Sequence, residues 1–84
     1  MERKEILQLR KEKNLTQQQL AEKLGISTIY VRKLEKGVVN PGRETLVKYE
    51  NFFGVDMKSL FPDLFFSNYD KKLINNKDDT KQAI

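Results

Sequence analysis

The sequence contains no cysteine and no histidine among its 84 residues. The absence of cysteine excludes disulfide bonds, thiolate metal sites and thiol chemistry. The absence of histidine removes the side chain most often used as a general base and as a metal ligand. Because most catalytic constellations cannot be assembled without these residues, we expect neither an enzyme nor a cofactor or metal site.

Long apolar runs are also missing from the chain. No stretch approaches the roughly 18 residues that a membrane-spanning helix needs. The first apolar positions, Ile6, Leu7 and Leu9, lie among polar and charged residues rather than in the continuous apolar core of a signal peptide. We therefore expect a cytoplasmic chain with no membrane partner, whose length suits one small domain plus a tail.

The net positive charge of the chain arises entirely from its first part. The formal net charge is +4, and residues 1–50 carry 11 lysines and arginines against 7 acidic residues, whereas residues 51–84 carry 5 of each. A local excess of this kind indicates a polyanionic partner, although a net charge of +4 alone favours nucleic acid only slightly.

The first half of the chain predicts three helices joined by two short turns. Residues 2–13 are strong helix formers with one narrow apolar stripe, and a turn follows near Asn14. Thr16 and Gln19 have the spacing of a capping box that opens a second helix, which ends at Gly25.

Ser27 is a good N-cap for a third helix that extends to about Lys36 and ends at Gly37. A helix, a short turn containing glycine and a second helix together form a helix-turn-helix.

The predicted third helix has two different faces. Helical spacing places Val31, Leu34 and Val38 toward the core. The outward face carries Ile29, Arg32, Lys33 and Lys36. Such a face suits the major groove of DNA, because the cations can donate to guanine or phosphate oxygens and the isoleucine can touch a thymine methyl. A solvated basic face with one exposed apolar residue is an equally good interpretation of the pattern alone.

The remaining pattern completes an all-α, five-helix fold. Turn-forming residues 40–42 precede a fourth helix over residues 43–53, and Asp56 is the predicted cap of a short fifth helix that ends near Phe61, before Pro62. The predicted core comprises Ile6, Leu9, Leu20, Ala21, Leu24, Ile26, Val31, Leu34, Leu46, Tyr49, Phe53, Val55 and Leu60.

The end of the predicted domain is rich in aromatic residues. Seven of the eight aromatic residues lie between Tyr49 and Tyr69. Residues 60–66 either fold back over the domain or form a self-complementary dimer contact, and we favour the dimer because large apolar patches are typical of interfaces. The predicted contact comprises Leu60, Phe61, Leu64, Phe65 and Phe66. We assign residues 1–66 to the domain and the polar residues 67–84 to a flexible, disordered tail.

Three sequence motifs resemble the Xre family of helix-turn-helix regulators, which includes the lambdoid phage repressors and Cro proteins. They are T-Q-Q-Q-L-A-E-K-L-G-I-S at residues 16–27, K-L-E-K-G at 33–37 and N-P-G-R-E-T-L at 40–46. The resemblance covers residues 5 to about 61 and implies a compact lambda-repressor-like domain. The chain departs from the family at Asn14, where glycine is usual, and at Thr28 and Ile29, where glutamine or serine is common.

The resemblance also implies roles for individual residues. Those expected at DNA bases are Thr28, Ile29, Lys33 and Arg32. Those expected at DNA phosphates are Gln17, Ser27, Lys36, Asn40 and Arg43. The match further implies a partly buried ion pair between Arg10 and Glu35.

The function that these observations predict is sequence-specific regulation of transcription. We expect a homodimer that binds double-stranded DNA at a pseudo-palindromic operator, with half-sites about one helical turn (~34 Å) apart, and that acts as a repressor rather than an activator. The alternative is an antitoxin-like or adaptor protein whose residues 60–84 bind a protein partner.

Overall fold

The computed structural model describes residues 2–67, and this part of the chain folds into five α-helices followed by one π-helical turn. The helices are α1 (Lys4–Glu12), α2 (Gln17–Leu24), α3 (Thr28–Lys36), α4 (Arg43–Phe53) and α5 (Met57–Leu60), and the π-helical turn is Asp63–Ser67. None of the helices described is long and apolar enough to cross a membrane. The expected all-α class is confirmed, whereas the predicted tail lies outside the described residues from residue 68 onward.

Helix α1 is shorter at its start than the sequence predicted. Arg3 is extended, with φ −93° and ψ 91°, so the helix begins at Lys4 rather than at residue 2. The turn after α1 depends on Asn14, whose φ of 58° lies in the left-handed region. Asparagine is one of the few residues other than glycine that adopts this conformation readily, which explains how the chain turns here without the usual glycine.

The caps of α2 and α3 are formed as predicted. The Thr16 Oγ1 accepts from the backbone N–H of Gln19 at 3.0 Å, and the Gln19 Oε1 accepts from the backbone N–H of Thr16 at 2.9 Å. Ser27 Oγ accepts from the backbone N–H of Tyr30 at 3.0 Å. Gly25 supplies the left-handed φ of 71° between the two helices, and α2 packs directly against α3. These local bonds fix the helix-turn-helix unit.

The prediction that Val38 is buried is wrong. Gly37 ends α3 with a φ of 77°, so the chain leaves the helical path before Val38, whose side chain is 65% exposed. A helical projection cannot be continued past a left-handed glycine. Val39, the next residue, packs against the core instead.

The core is made by all five helices. The predicted positions Leu9, Ile26, Leu46, Phe53 and Val55 are partly buried around it. The fully enclosed apolar residues are Ile6, Leu20, Ala21, Leu24, Val31, Leu34, Tyr49, Leu60 and Phe61. The core prediction is therefore largely confirmed, and it missed Phe61.

The burial of Leu60 and Phe61 contradicts their predicted place in a dimer contact. Both side chains have no exposed surface in the single chain, and the Phe61 ring packs edge-on against Tyr49, with ring centroids 5.4 Å apart. The chain thus folds back over its own core at these two positions. Leu64 and Phe65 are only partly buried, and Phe66 is 46% exposed. Of the five residues predicted for the dimer contact, only these last three keep exposed surface.

The cap of α5 differs from the one predicted. Asp56 occupies the N-cap position but its carboxylate makes no capping hydrogen bond. Glu50, near the end of α4, provides the acceptor instead, because its Oε2 lies 3.1 Å from the backbone N of Met57. A carboxylate from the preceding helix thus satisfies one of the free N–H groups that open α5.

Candidate nucleic-acid interface

The outward face of α3 is the most cationic surface that the sequence analysis singled out. Val31, Leu34 and Glu35 face the core. Arg32, Lys33 and Lys36 are exposed on the opposite side, Ile29 is 54% exposed beside them, and Thr28 is partly exposed at the start of the helix. Within residues 2–67 none of the three cations forms an ion pair. Their charge is therefore available to an external anion.

A buried ion pair fixes α3 against α1. The Arg10 Nε donates to Glu35 Oε2 at 2.6 Å and the Nη2 donates to Oε1 at 3.1 Å, with both side chains at most 10% exposed. The remaining guanidinium nitrogen donates to the carbonyl oxygen of Leu15 at 2.7 Å. This bidentate geometry confirms the ion pair that the family resemblance implied.

Gln17 connects α2 to the same ion pair. Its Nε2 donates to Glu35 Oε1 at 3.0 Å, so the side-chain amide is partly occupied inside the protein. The backbone N–H groups of Gln17 and Gln18 have no acceptor within the described part of the chain. Free N–H groups at a helix N-terminus attract anions. The backbone of Gln17 thus remains available to a phosphate, while its side chain also orients the helix.

The other residues expected at phosphates lie around α3 in different ways. Ser27 is exposed at its N-cap, where the Oγ serves as an acceptor for α3 and the hydroxyl hydrogen is free to donate. Asn40 is exposed in the loop after α3. Arg43 is the exposed first residue of α4 and forms no ion pair among the described residues. A hydrogen bond links Gln17 to Glu35 of α3, and Asn40 accepts a hydrogen bond from Arg3. Arg43 makes no side-chain hydrogen bond within residues 2–67.

Arg3 is a central residue of this region that the sequence analysis missed. Its side chain is 4% exposed, and its Nη1 donates to the carbonyl oxygens of Leu34 and Val39, each at 2.8 Å. Its Nη2 donates to Asn40 Oδ1 at 2.7 Å, and Nε and Nη2 together bind the Asp63 carboxylate at 3.2–3.3 Å. All five guanidinium N–H donors are thereby used.

Arg3 also completes the end of α3. Its backbone N–H donates to the carbonyl oxygen of Glu35 at 2.7 Å, so main chain and side chain together bind two of the carbonyls that close the helix. The Leu34 carbonyl also accepts from the backbone N–H of Gly37 at 3.1 Å, and a cation is favourable there because the C-terminal end of a helix carries a partial negative charge. No local motif indicates this role, since Asp63 lies 60 residues away in the sequence.

Tyr49 leaves one polar atom unsatisfied in the core. Its hydroxyl is buried and is without a hydrogen-bond partner among the described residues. Burial, with a smaller contribution from the Glu35 carboxylate, raises the pKa of this hydroxyl well above its ordinary range. The group lies inside the domain and is a structural feature rather than part of the cationic surface.

A groove lies beside Arg3, where the N-terminal segment meets the π-helical turn. It encloses about 720 Å³ and is lined in part by Glu2, Pro62, Leu64 and Phe66. Within residues 2–67 no cluster of carboxylates able to hold a metal ion is present.

Comparison with known proteins finds helix-turn-helix proteins that are similar to this chain. Residues 6–60 match a family described as helix-turn-helix. An uncharacterized HTH-type transcriptional regulator of Methanocaldococcus jannaschii is 42% identical over 48 residues, which span 57% of this chain and 73% of that protein. A chain in a solved SinR protein/SinI protein complex matches with a TM-score of 0.66 and 28% identity, over 89% of this chain and 77% of that chain.

Proposed function

The chain belongs to the Xre-like, lambda-repressor-like helix-turn-helix family of transcriptional regulators, and from this premise we propose that it binds specific double-stranded DNA sequences through α3. Helix-turn-helix regulators insert their second helix into the major groove with its N-terminal residues at the bases. The observation that carries the proposal is the outward face of α3, where three cations that form no ion pair within residues 2–67 flank an exposed isoleucine. Proteins of this family typically act without enzymatic activity.

We divide the surface residues into those that contact bases and specify the DNA sequence and those that contact phosphates and position the protein. Thr28, Ile29, Arg32 and Lys33 lie on the first turns of α3 and are assigned to base edges. Side chains at these positions read sequence through hydrogen bonds and methyl contacts. The phosphate contacts are assigned to Gln17 at the start of α2, Ser27 and Lys36 at the two ends of α3, Asn40 in the following loop and Arg43 at the start of α4. Phosphate contacts fix orientation without reading sequence.

We also propose the oligomeric state, the kind of operator, the sign of regulation and the compartment. The chain acts as a homodimer on a pseudo-palindrome, because one recognition helix reads only a short half-site. With Leu60 and Phe61 buried, the dimer contact is assigned to Leu64, Phe65 and Phe66. We propose repression rather than activation, in the cytoplasm, where a regulator without a membrane partner meets its DNA.

The experiment that tests the proposal compares specific and random DNA. Fluorescence anisotropy would measure binding to duplex fragments that flank the chain's own gene and to a random-sequence duplex. Lys33→Ala should weaken binding to the preferred fragment by about 1–3 kcal/mol and relax specificity at one position, whereas Lys36→Ala should weaken binding to both DNAs and lower the salt dependence by about one charge.

The matched control is Lys11→Ala, which removes the same charge from an exposed position on α1. It should change binding far less than either α3 variant. Equal losses for Lys11→Ala and Lys33→Ala, or wild-type protein that binds neither DNA, would contradict the proposal.

A second candidate function is an antitoxin-like or adaptor role through the C-terminal segment. Phe66 is 46% exposed beside the groove, and the SinR match comes from a complex with a second protein. A stoichiometric partner that is lost in Phe66→Ser, together with absent DNA binding by the wild type, would favour this role over DNA recognition.

A further inference from the structure

The hydrogen bond between Arg3 and Asn40 fixes which way the Asn40 amide points. A guanidinium carries only donors, so the group that faces it must be the amide oxygen. Arg3 Nη2 lies 2.7 Å from Asn40 Oδ1. The opposite atom of the amide, Nδ2, carries two N–H donors and has no acceptor within residues 2–67. The exposed amide therefore presents donors, and not an acceptor, to an external ligand.

The Arg3 side chain is itself held too firmly to release that oxygen easily. Its remaining donors bind two main-chain carbonyls and the Asp63 carboxylate, and its guanidinium carbon lies 5.5 Å from the centre of the Phe61 ring. A buried charge is stable only when its hydrogen-bonding groups are satisfied, so any rotation of the guanidinium would cost several bonds at once. Asn40 is thus oriented by a fixed group rather than by a mobile surface chain.

We propose that Arg3 is a positioning residue for DNA binding, which holds Asn40 so that its Nδ2 group donates to a DNA phosphate. The inference rests on the proposed function and adds a residue to it that makes no DNA contact of its own. By binding the carbonyls of Leu34 and Val39, Arg3 also fixes the loop between α3 and Asn40. Arg3 thereby holds α3 and the Asn40 Nδ2 group in a fixed position relative to each other.

The Arg3→Lys variant distinguishes the effect of the positive charge at position 3 from the effect of the donor geometry of the guanidinium. Arg3→Lys keeps the net charge and hence the general attraction to DNA, but an ammonium group cannot reproduce the planar five-donor arrangement. The Asn40 amide would then be free to turn its oxygen outward, where a phosphate repels it. The variant therefore tests orientation and not charge.

The test is a double-mutant cycle on a random-sequence duplex at low salt, where phosphate contacts supply nearly all of the affinity. Arg3→Lys and Asn40→Ala should each weaken binding about tenfold, as expected for loss of a hydrogen bond to a charged group. The double variant should lose clearly less affinity than the sum of the two single losses, because much of the effect of Arg3 passes through Asn40. Fully additive losses would overturn the inference.

The side-chain NH₂ signals of Asn40 provide a readout that general destabilisation would not imitate. In ¹H–¹⁵N spectra these signals should shift on addition of DNA to the wild type and should lose that shift in Arg3→Lys. An Asn40 amide that responds equally in both proteins would overturn the inference. Failure of the wild type to bind the duplex would instead overturn the proposed function.

A second variant serves if Arg3→Lys does not fold. Asn40→Asp keeps an oxygen for Arg3, so it should be at least as stable to urea as the wild type, but its outward atom is an acceptor. It should bind DNA at least about tenfold more weakly than Asn51→Asp, a matched change at an exposed residue of α4. Reduced stability of Asn40→Asp, or DNA binding equal to that of Asn51→Asp, would overturn the inference.

Discussion

Two buried arginines hold the helix-turn-helix unit in place. Arg10 binds the Glu35 carboxylate and links α1 to the inner face of α3. Arg3 binds the closing carbonyls of α3 and the Asp63 carboxylate, so it links the same helix to the C-terminal turn. Each guanidinium has several acceptors, which makes removal of either group costly, since a buried partner would be left unpaired. The orientation of α3 therefore depends on polar contacts as well as on the apolar core.

Tyr49 gives a pH prediction at the scale of a single residue. Burial raises the pKa of its hydroxyl above the ordinary value of 10.0, so the folded protein keeps the proton where the unfolded chain loses it. The stabilising contribution is complete below that pH and is lost as the pH rises above it. Relative to Tyr49→Phe, the wild type should lose unfolding free energy above about pH 10 by up to about 1.4 kcal/mol per pH unit.

Urea denaturation of both proteins at about pH 7 and about pH 11 measures this difference, since the other titrating groups are common to both. At the lower pH, Tyr49→Phe should be as stable as the wild type or more stable by about 1 kcal/mol, because the unpaired hydroxyl is removed. Parallel curves for the two proteins over this range would contradict the assignment.

The two arginines also show which residue contacts sequence reasoning can predict. The resemblance of the motifs to a known family implied the Arg10–Glu35 pair, and both residues lie inside helices whose faces follow from periodicity. Arg3 lies just before α1 in extended backbone, and its carboxylate partner is 60 residues away. No spacing rule connects such positions, so the contact becomes visible only in the folded chain.

Helix ends that are capped by neighbouring residues were the features of the elements that were easiest to predict. The capping box at Thr16, the cap at Ser27 and the left-handed residues Gly25 and Gly37 all depend on residues within one turn of the helix end. Residue type therefore carries the signal directly. The π-helical turn Asp63–Ser67 was not predicted, and part of it is held by the distant Arg3.

The cap of α5 was assigned to the wrong residue. The acceptor that the structure shows there gives a testable prediction. Glu50→Ala should lower the unfolding free energy by about 1 kcal/mol, because the backbone N–H of Met57 loses its acceptor. Asp56→Ala should stay within about 0.5 kcal/mol of the wild type, since that carboxylate makes no capping bond.

Glu50→Gln is the matched control for this pair, because its side-chain oxygen can still accept from Met57. Urea denaturation should place it close to the wild type. A larger loss for Asp56→Ala than for Glu50→Ala would show that the cap predicted from the sequence forms in solution.

At the scale of the whole molecule, the C-terminal aromatic segment divides between core and surface. Phe61 is enclosed by the domain, whereas Phe66 is exposed beside the groove next to Arg3. Composition alone could not predict which of these two phenylalanines is buried, because both belong to the same apolar run. The segment is joined to α3 through the Asp63–Arg3 ion pair, so a second chain bound there would lie close to the helix-turn-helix unit.

The cationic surface of α3 thus lies on a helix that is held by Arg10 of α1 and by Arg3, which also binds Asp63 in the C-terminal turn. The sequence correctly predicted which residues of that surface are exposed, namely Ile29, Arg32, Lys33 and Lys36. It could not reveal that Gln17 and Asn40 are each already bound on one side by residues of the protein. The partners of both side chains come from other elements and depend on the assembled fold.

The most direct test of the central proposal is a ¹H–¹⁵N titration of the full chain with duplex DNA that flanks its own gene. We predict that the largest shifts fall on the first turns of α3, at Thr28, Ile29, Arg32 and Lys33, with smaller shifts at the start of α2 and at Asn40. Shifts confined to residues 63–66, with α3 unchanged at saturating DNA, would contradict the account.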